Sequence, residues 1–204
     1  MADYDLKGSE TRLWALIEER TRGGADTQRL DQRIWDLFGE DWSVMFTDLS
    51  GFSRQVEAFG IIHFLQIIFE KKRLLLPIIA AHDGILIKVE ADSFLLIFKK
   101  ARAALECAIE MQRACQNLNE RRLPEEKVLL CVGIGHGRIL RIGDVDVYGK
   151  EVNAASKLGE DTVKSDEILV TEAARLAVGE LPNVSYVNLE EKVPGSDKNW
   201  KVIY

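Results

Sequence analysis

The chain opens with two amphipathic stretches. Leu13, Leu16 and Ile17 recur at steps of three and four within Glu10–Arg20, and Leu30, Ile34, Leu37 and Phe38 form a second helical stripe. Gly23-Gly24 separates them, Asp26 or Thr27 can cap the second, and Gly39 can stop it. These features predict a helical appendage over residues 1–40, with Trp14 and Trp35 packing it on the main domain or on a partner copy. From Trp42 the pattern turns to alternating strands and helices. Trp42–Thr47 reads as a strand. Helical structure starts at Ser53 or a neighbour, and Ile61–Ala81 is a long apolar helix with a kink or break at Pro77. Ile85–Val89 and Phe94–Phe98 form a hairpin, and Ala101–Leu118 is an amphipathic helix. Lys127–Gly135 is a buried strand and Ile139–Ile142 begins another. Gly149–Leu158 and Glu172–Val178 are short helices, while Ile168–Val170, Val184–Asn188 and Trp200–Tyr204 are strands. The order βααββαββ over residues 42–142 predicts an α+β fold. It is a ferredoxin-like, palm-type sandwich with helices on one face of a mostly antiparallel sheet, over residues 41–204.

Composition narrows the class without naming a chemistry. At 204 residues, the chain is one domain with or without an appendage, and 47% hydrophobic content is enough for a packed core. A net charge of −6 gives no reason to expect a nucleic-acid partner. No apolar run approaches the ~20 residues of a membrane helix, and Met1–Gly8 lacks the apolar core of a signal peptide. Three unpaired cysteines, Cys107, Cys115 and Cys131, fit reduced buried thiols and a cytoplasmic location.

The candidate chemistry centres on two carboxylates. Asp48 follows the apolar run Val44-Met45-Phe46, and Asp92 lies between the two hairpin strands. Two aspartates carried together by neighbouring strands make a hard-oxygen site suited to Mg²⁺ or Mn²⁺ and, through them, to triphosphate oxygens. His63, His82 and His136 have no ligand spacing and read as core or rim residues. No Walker loop, G-x-S-x-G or Cys-His pairing occurs, and Gly23-Gly24-Ala25-Asp26 precedes the first core strand without a second carboxylate.

Four segments carry a resemblance. Phe46–Phe52 (FTDLSGF), Lys88–Asp92 (KVEAD), Gly133–Arg138 (GIGHGR) and Asp146–Lys157 (DVYGKEVNAASK) together resemble the catalytic domain of the class III nucleotidyl (adenylyl and guanylyl) cyclases. The resemblance implies two divalent cations, Mg²⁺ or Mn²⁺, held by Asp48 and Asp92 with Leu49 beside them. Gly51 and Phe52 would lie against the triphosphate, and Arg138 would reach its terminal phosphates. Lys88 and Asp146 match the family's base-reading positions in its ATP-specific members. A lysine can donate to a ring nitrogen of adenine and an aspartate can accept from its exocyclic amine, although cytosine also carries an amine. Simple alternation puts Lys88 on the face of Leu86 and Glu90, opposite Ile85, Ile87 and Val89.

Asn153 and Lys157, four apart on one helix face, match the family's Asn and Arg that orient the ribose and stabilise the transition state. Lysine in place of arginine keeps the charge and loses the planar fork, an expected cost of roughly tenfold to a hundredfold in rate. Glu90-Ala91 replaces the usual Ile-Gly, so the turn is expected to differ in detail. Lys192 and Lys198 are both candidates for a further phosphate contact. The family arrangement implies a homodimer with shared sites: Asp48, Asp92 and Arg138 from one chain, and Lys88, Asp146, Asn153 and Lys157 from the other. The expected activity is conversion of ATP to 3′,5′-cyclic AMP and pyrophosphate. Cyclisation of GTP or a pyrimidine triphosphate is one alternative, and a catalytically silent nucleotide-binding or dimerisation module is another.

Overall fold

A computed structural model describes residues 8–50 and 57–204. The start of helical structure expected near Ser53 lies outside these residues, as do Gly51 and Phe52. The described elements run α1 (Ser9–Thr21), α2 (Thr27–Phe38), β1 (Gly39–Leu49), α3 (Ile61–Ala81), β2 (Ile85–Glu90), β3 (Ser93–Phe98), α4 (Ala101–Asn119), β4 (Leu130–Ile142), β5 (Asp146–Tyr148), α5 (Lys150–Ser156), β6 (Ile168–Thr171), α6 (Glu172–Val178), β7 (Ser185–Leu189) and β8 (Asn199–Ile203). A turn of π-helix, Lys157–Thr162, continues α5.

Among the described residues the strands form one sheet in the order β2-β3-β1-β4-β6-β8-β7, with β5 paired to β4. The β4–β6 pair is parallel and every other pair is antiparallel. Period-two alternation gives the sheet two apolar faces. Met45, Leu96, Phe98 and Ile134 face a large core closed by α3, α4 and α6. Val44, Leu95, Ile97 and Ile139 face the other way, where Val152 and Ala155 of α5 cover them. Helices therefore lie on both faces, not on one as the order of elements suggested, because the inner strands are apolar on both sides.

Two further expectations change. Lys127–Gly135 and Ile139–Ile142 belong to a single strand, β4, whose thirteen residues pair with the whole of β1 from Gly39↔Leu140 to Leu49↔Leu130. Gly137 within it is nearly extended, so it does not break the strand. Helix α3 runs through Pro77 without a break. Pro77 stands on the exposed side, and the buried stripe of Phe64, Ile67, Ile68, Leu75 and Ile79 holds the helix against a local penalty of about 3 kcal/mol.

Helices α1 and α2 pack on each other and on the far end of β4 through Leu13, Leu16, Leu30, Ile34, Phe38 and Ile142. Asp26 caps α2 by accepting from the Arg29 amide at 3.0 Å. Trp35 stacks under the Arg138 guanidinium, whereas Trp14 is 53% exposed and does not pack on the domain. No helix among the described residues is long and apolar enough to cross a membrane.

Candidate functional site

The carboxylate pair forms at the end of the β1–β3 ladder. Thr47 pairs with Phe94, which sets Ser93 beside Asp48, and the Ser93 hydroxyl donates to Asp48 Oδ1 at 3.0 Å. Ala91 and Asp92 make the tight turn from β2 to β3. Ala91 takes φ 49°, the left-handed conformation open to glycine, at a steric cost of about 1–2 kcal/mol. Asp92 is buried, and its Oδ2 has no hydrogen-bond partner among the described residues. Burial and the neighbouring charge of Asp48 push the Asp92 carboxyl up to about 6.

Beneath the turn lies a residue that the sequence pattern did not single out. Lys71 of α3 is fully buried, donates from Nζ to the main-chain oxygen of Asp92, and lies 4.4 Å from the centre of the Phe94 ring. Burial lowers its pKa to about 8, against the opposing pull of Asp92 and Asp48. A signal was available: Lys71 occupies the core-facing stripe of α3, where an aliphatic residue is expected.

The donor set suits a hard cation. Two carboxylates meet at adjacent strand ends, one with a buried oxygen that has no partner among the described residues. Among the described residues no group of three or more His, Cys, Asp or Glu could hold a metal ion, so the pair would need water and phosphate oxygens to complete a coordination shell. The Leu49 side chain is buried in the core, which leaves only its main-chain carbonyl as a possible ligand.

The second cluster lies on the same sheet. A β-bulge at Ile87 shifts the β2–β3 register, with Leu86 opposite Leu96 but Lys88 opposite Leu95. The extra residue moves Lys88 from the face of Leu86 to the face of Leu95, the reverse of what simple alternation gives. There Lys88 Nζ meets Asp146 Oδ2 at 2.5 Å. The Asp146 carboxylate also accepts from the Val147 amide at 2.8 Å and the Tyr148 hydroxyl at 3.0 Å. Burial raises the Asp146 pKa, but these three donors outweigh it and hold the carboxyl below its ordinary value. The Asp146 contact in turn raises Lys88. A cavity of about 200 Å³ opens here, walled by Phe46, Lys88, Glu90, Ser93, Asp146 and Glu160 among others. A larger cavity of about 620 Å³, near His82, Arg102, Glu110 and Tyr204, contains none of the expected site residues.

Asn153 of α5 and Lys157, which opens the π-helical turn after it, are both exposed. Lys157 Nζ is 2.5 Å from Asp161 Oδ2, one turn on, which raises the lysine's pKa. The opposite side of α5 sits directly on β4. A Cβ on Gly133 would collide with the Ala155 carbonyl and the Gly159 amide, and one on Gly135 would meet the Glu151 carbonyl. The GIGHG run therefore serves a backbone-to-backbone contact. Buried Glu151 reinforces it by accepting from the His136 amide and the Thr171 hydroxyl.

Arg138 is elsewhere. It pairs with Asp41, seven residues before Asp48, so roughly 20 Å of strand separates it from the carboxylate pair of its own chain. Its guanidinium donates to the Trp35 carbonyl at 3.2 Å. The expected grouping of Arg138 with Asp48 and Asp92 in one protomer's half-site is not met, because β1 and β4 are long and straight in register. Lys198 engages Glu172 and Lys192 lies near Asp197, and neither lines the Lys88–Asp146 cavity.

The model of the adenylate and guanylate cyclase catalytic domain matches residues 39–199. The chain belongs to this family. A Rhizobium meliloti protein named "Putative adenylate cyclase 3" is 32% identical over 117 residues, which is 57% of this chain and 20% of that protein. The chain thus spans about a fifth of that relative's length. The adenylate/guanylate cyclase/hydrolase from Silicibacter pomeroyi superposes with a TM-score of 0.71 at 24% identity, covering 81% of this chain and 98% of that one. The guanylyl cyclase Cya2 superposes with a TM-score of 0.63 at 19% identity, over 80% and 92% of the two chains. Both structural likenesses establish the fold. The chain is a class III nucleotidyl cyclase catalytic domain, of a family that holds adenylate and guanylate cyclases alike.

Proposed function

We propose that the chain converts ATP to 3′,5′-cyclic AMP and pyrophosphate. The observation that carries this reading is the Lys88–Asp146 contact of 2.5 Å, formed across 58 residues of sequence at the family's two base-reading positions. A lysine donor beside an aspartate acceptor matches the N1 and exocyclic amine edge of adenine. Guanine presents the reverse polarity, a carbonyl and a ring N–H.

In the reaction the ribose 3′-oxygen forms a bond to the α-phosphorus, the bond from that phosphorus to the β-phosphate bridging oxygen breaks, and the 3′-hydroxyl proton is lost. Divalent cations, Mg²⁺ or Mn²⁺, would lower the hydroxyl's pKa and neutralise the leaving pyrophosphate when held by Asp48 and Asp92. Asn153 would orient the ribose. Lys157 would place its charge on the α-phosphate after releasing Asp161. Lys88 and Asp146 would trade their mutual contact for the base. Arg138 has no part in this reading.

The shared-site homodimer belongs to the same reading. Asn153 and Lys157 face outward, and the single-chain cavity of about 200 Å³ is below the roughly 300 Å³ at which small-molecule pockets begin, so a second surface is needed to enclose a nucleotide. Residues 1–40 would be an appendage to a catalytic domain over residues 41–204, at work in the cytoplasm. Incubating the protein with each nucleoside triphosphate and Mn²⁺, with mass spectrometry of the products, tests the reaction. Cyclic AMP from ATP is expected. A cyclic product from GTP or a pyrimidine triphosphate alone would overturn the base assignment, and no cyclic product from any of the four would leave a silent module. Mixing Asp92→Ala with Asn153→Ala chains is expected to restore one site per heterodimer, and no recovery would rule against shared sites.

A further inference from the structure

Lys71 is an ammonium in a position built for a hydrocarbon. Phe64, Ile67, Ile68, Leu75 and Ile79 complete the same stripe of α3, and Lys71 is 0% exposed. A buried charge is costly unless something answers it. The hydrogen bond from Nζ goes to a main-chain carbonyl, that of Asp92, and not to a carboxylate. The anionic groups whose fields act on Lys71 most strongly are nevertheless Asp92 and then Asp48. Asp92 Oδ2 meanwhile keeps no partner among the described residues. The fold therefore fixes a cation behind the carboxylate pair without spending that oxygen on it. Methionine or leucine would fill the same space, so packing alone does not account for the charge.

We propose that Lys71 is a resident counter-charge of the Asp48–Asp92 pair, which keeps the nucleotide-free protein from loading divalent cations and makes metal binding conditional on the phosphates of the substrate. The inference rests on the cation-binding reading of that pair. The physical reason is local. A divalent ion approaching two carboxylates is attracted by both and repelled by the ammonium, and with Lys71 buried against the Phe94 ring that repulsion is screened less than it would be in water. A nucleoside triphosphate adds several negative charges on the solvent side and outweighs one ammonium. Lys71 does not reach the reacting atoms. It is a positioning residue that acts through Asp92, whose carbonyl it also holds.

The test is Mn²⁺ binding to the nucleotide-free full chain, followed by the electron paramagnetic resonance signal of free Mn²⁺. Lys71→Gln keeps an N–H donor for the Asp92 carbonyl and removes the charge, and Lys71→Met removes both. Each is expected to bind Mn²⁺ at least about tenfold more tightly than the wild type. A brace for the turn, with no electrostatic role, predicts unchanged affinity in Lys71→Gln and weaker affinity in Lys71→Met, and that result overturns the proposal. If Lys71→Met does not fold, Lys71→Gln decides. The wild type alone also decides: Mn²⁺ taken up as tightly without a ligand as with bound 3′-deoxy-ATP, which has no hydroxyl to cyclise, would overturn it. Product formation by the wild type judges the cyclase reading separately. A chain that makes cyclic nucleotide but shows no tightening in Lys71→Gln loses this inference and keeps the function.

Discussion

The two ends of the candidate site, one half-buried and one buried, treat their polar groups in opposite ways. At the Lys88–Asp146 end the groups satisfy one another: the carboxylate has three donors, and the lysine has its carboxylate. At the Asp48–Asp92 end a buried oxygen has no partner among the described residues, and a buried ammonium bonds a main-chain carbonyl beside two carboxylates. A ligand at the first end must exchange existing bonds for new ones, which yields about 1 kcal/mol net per hydrogen bond. A cation at the second end relieves a standing deficit and can contribute far more. On the proposed reading, the first end discriminates among bases and the second handles charge.

This contrast can be broken most sharply by Asp92→Asn. Removing one carboxylate of the pair is expected to lower turnover by roughly a thousandfold or more with the fold intact by circular dichroism, and an effect below tenfold would dissolve the distinction. Asp146→Asn should cut kcat/KM for ATP by about a hundredfold and leave Mn²⁺ binding to the free protein unchanged. A change in Mn²⁺ binding there would mean that the two ends are not separate. Lys157→Arg, which restores the planar fork, should raise kcat by about tenfold in the same product assay. The smallest effect concerns stability. The Asp92 carboxyl is raised to about 6 by burial and by Asp48, so the metal-free native state holds its proton more tightly than the unfolded chain does. Stability in EDTA should then rise as pH falls from about 6 towards 4, and fall as pH rises through about 6. Asp92→Asn should remove this slope and raise the neutral-pH thermal midpoint by a few degrees, read by differential scanning calorimetry.

The sequence made much of this legible through local pattern. The hairpin around Asp92, the amphipathic α4 and the helix bearing Asn153 and Lys157 all follow from spacing, because each buries a face against the sheet it adjoins. Lys88 and Asp146 could be paired only through the family resemblance, since no local rule joins residues on β2 and β5. What eluded the sequence needed long-range register. The bulge at Ile87 reverses the face of Lys88, and periodicity alone cannot place an inserted residue. The distance of Arg138 from Asp48 depends on β1 and β4 pairing along their whole length, with Gly137 extended where a break was expected. Lys71 was hidden for another reason. One lysine in the charged run Glu70-Lys71-Lys72-Arg73 reads as solvated until the packing shows which side it faces.

The glycine contacts of β4 carry one more consequence. Gly133 and Gly135 bring the main chain of α5 and of the turn after it against the strand, and the Glu151 side chain ties the two together, so the helix cannot glide along the strand without a backbone clash. Asn153 and Lys157 thus ride on a rigid platform. Any closing of the molecule around its substrate has to come from whole bodies tilting towards each other, and the speed of that tilt, not of local rearrangement, would govern how often the reacting groups align.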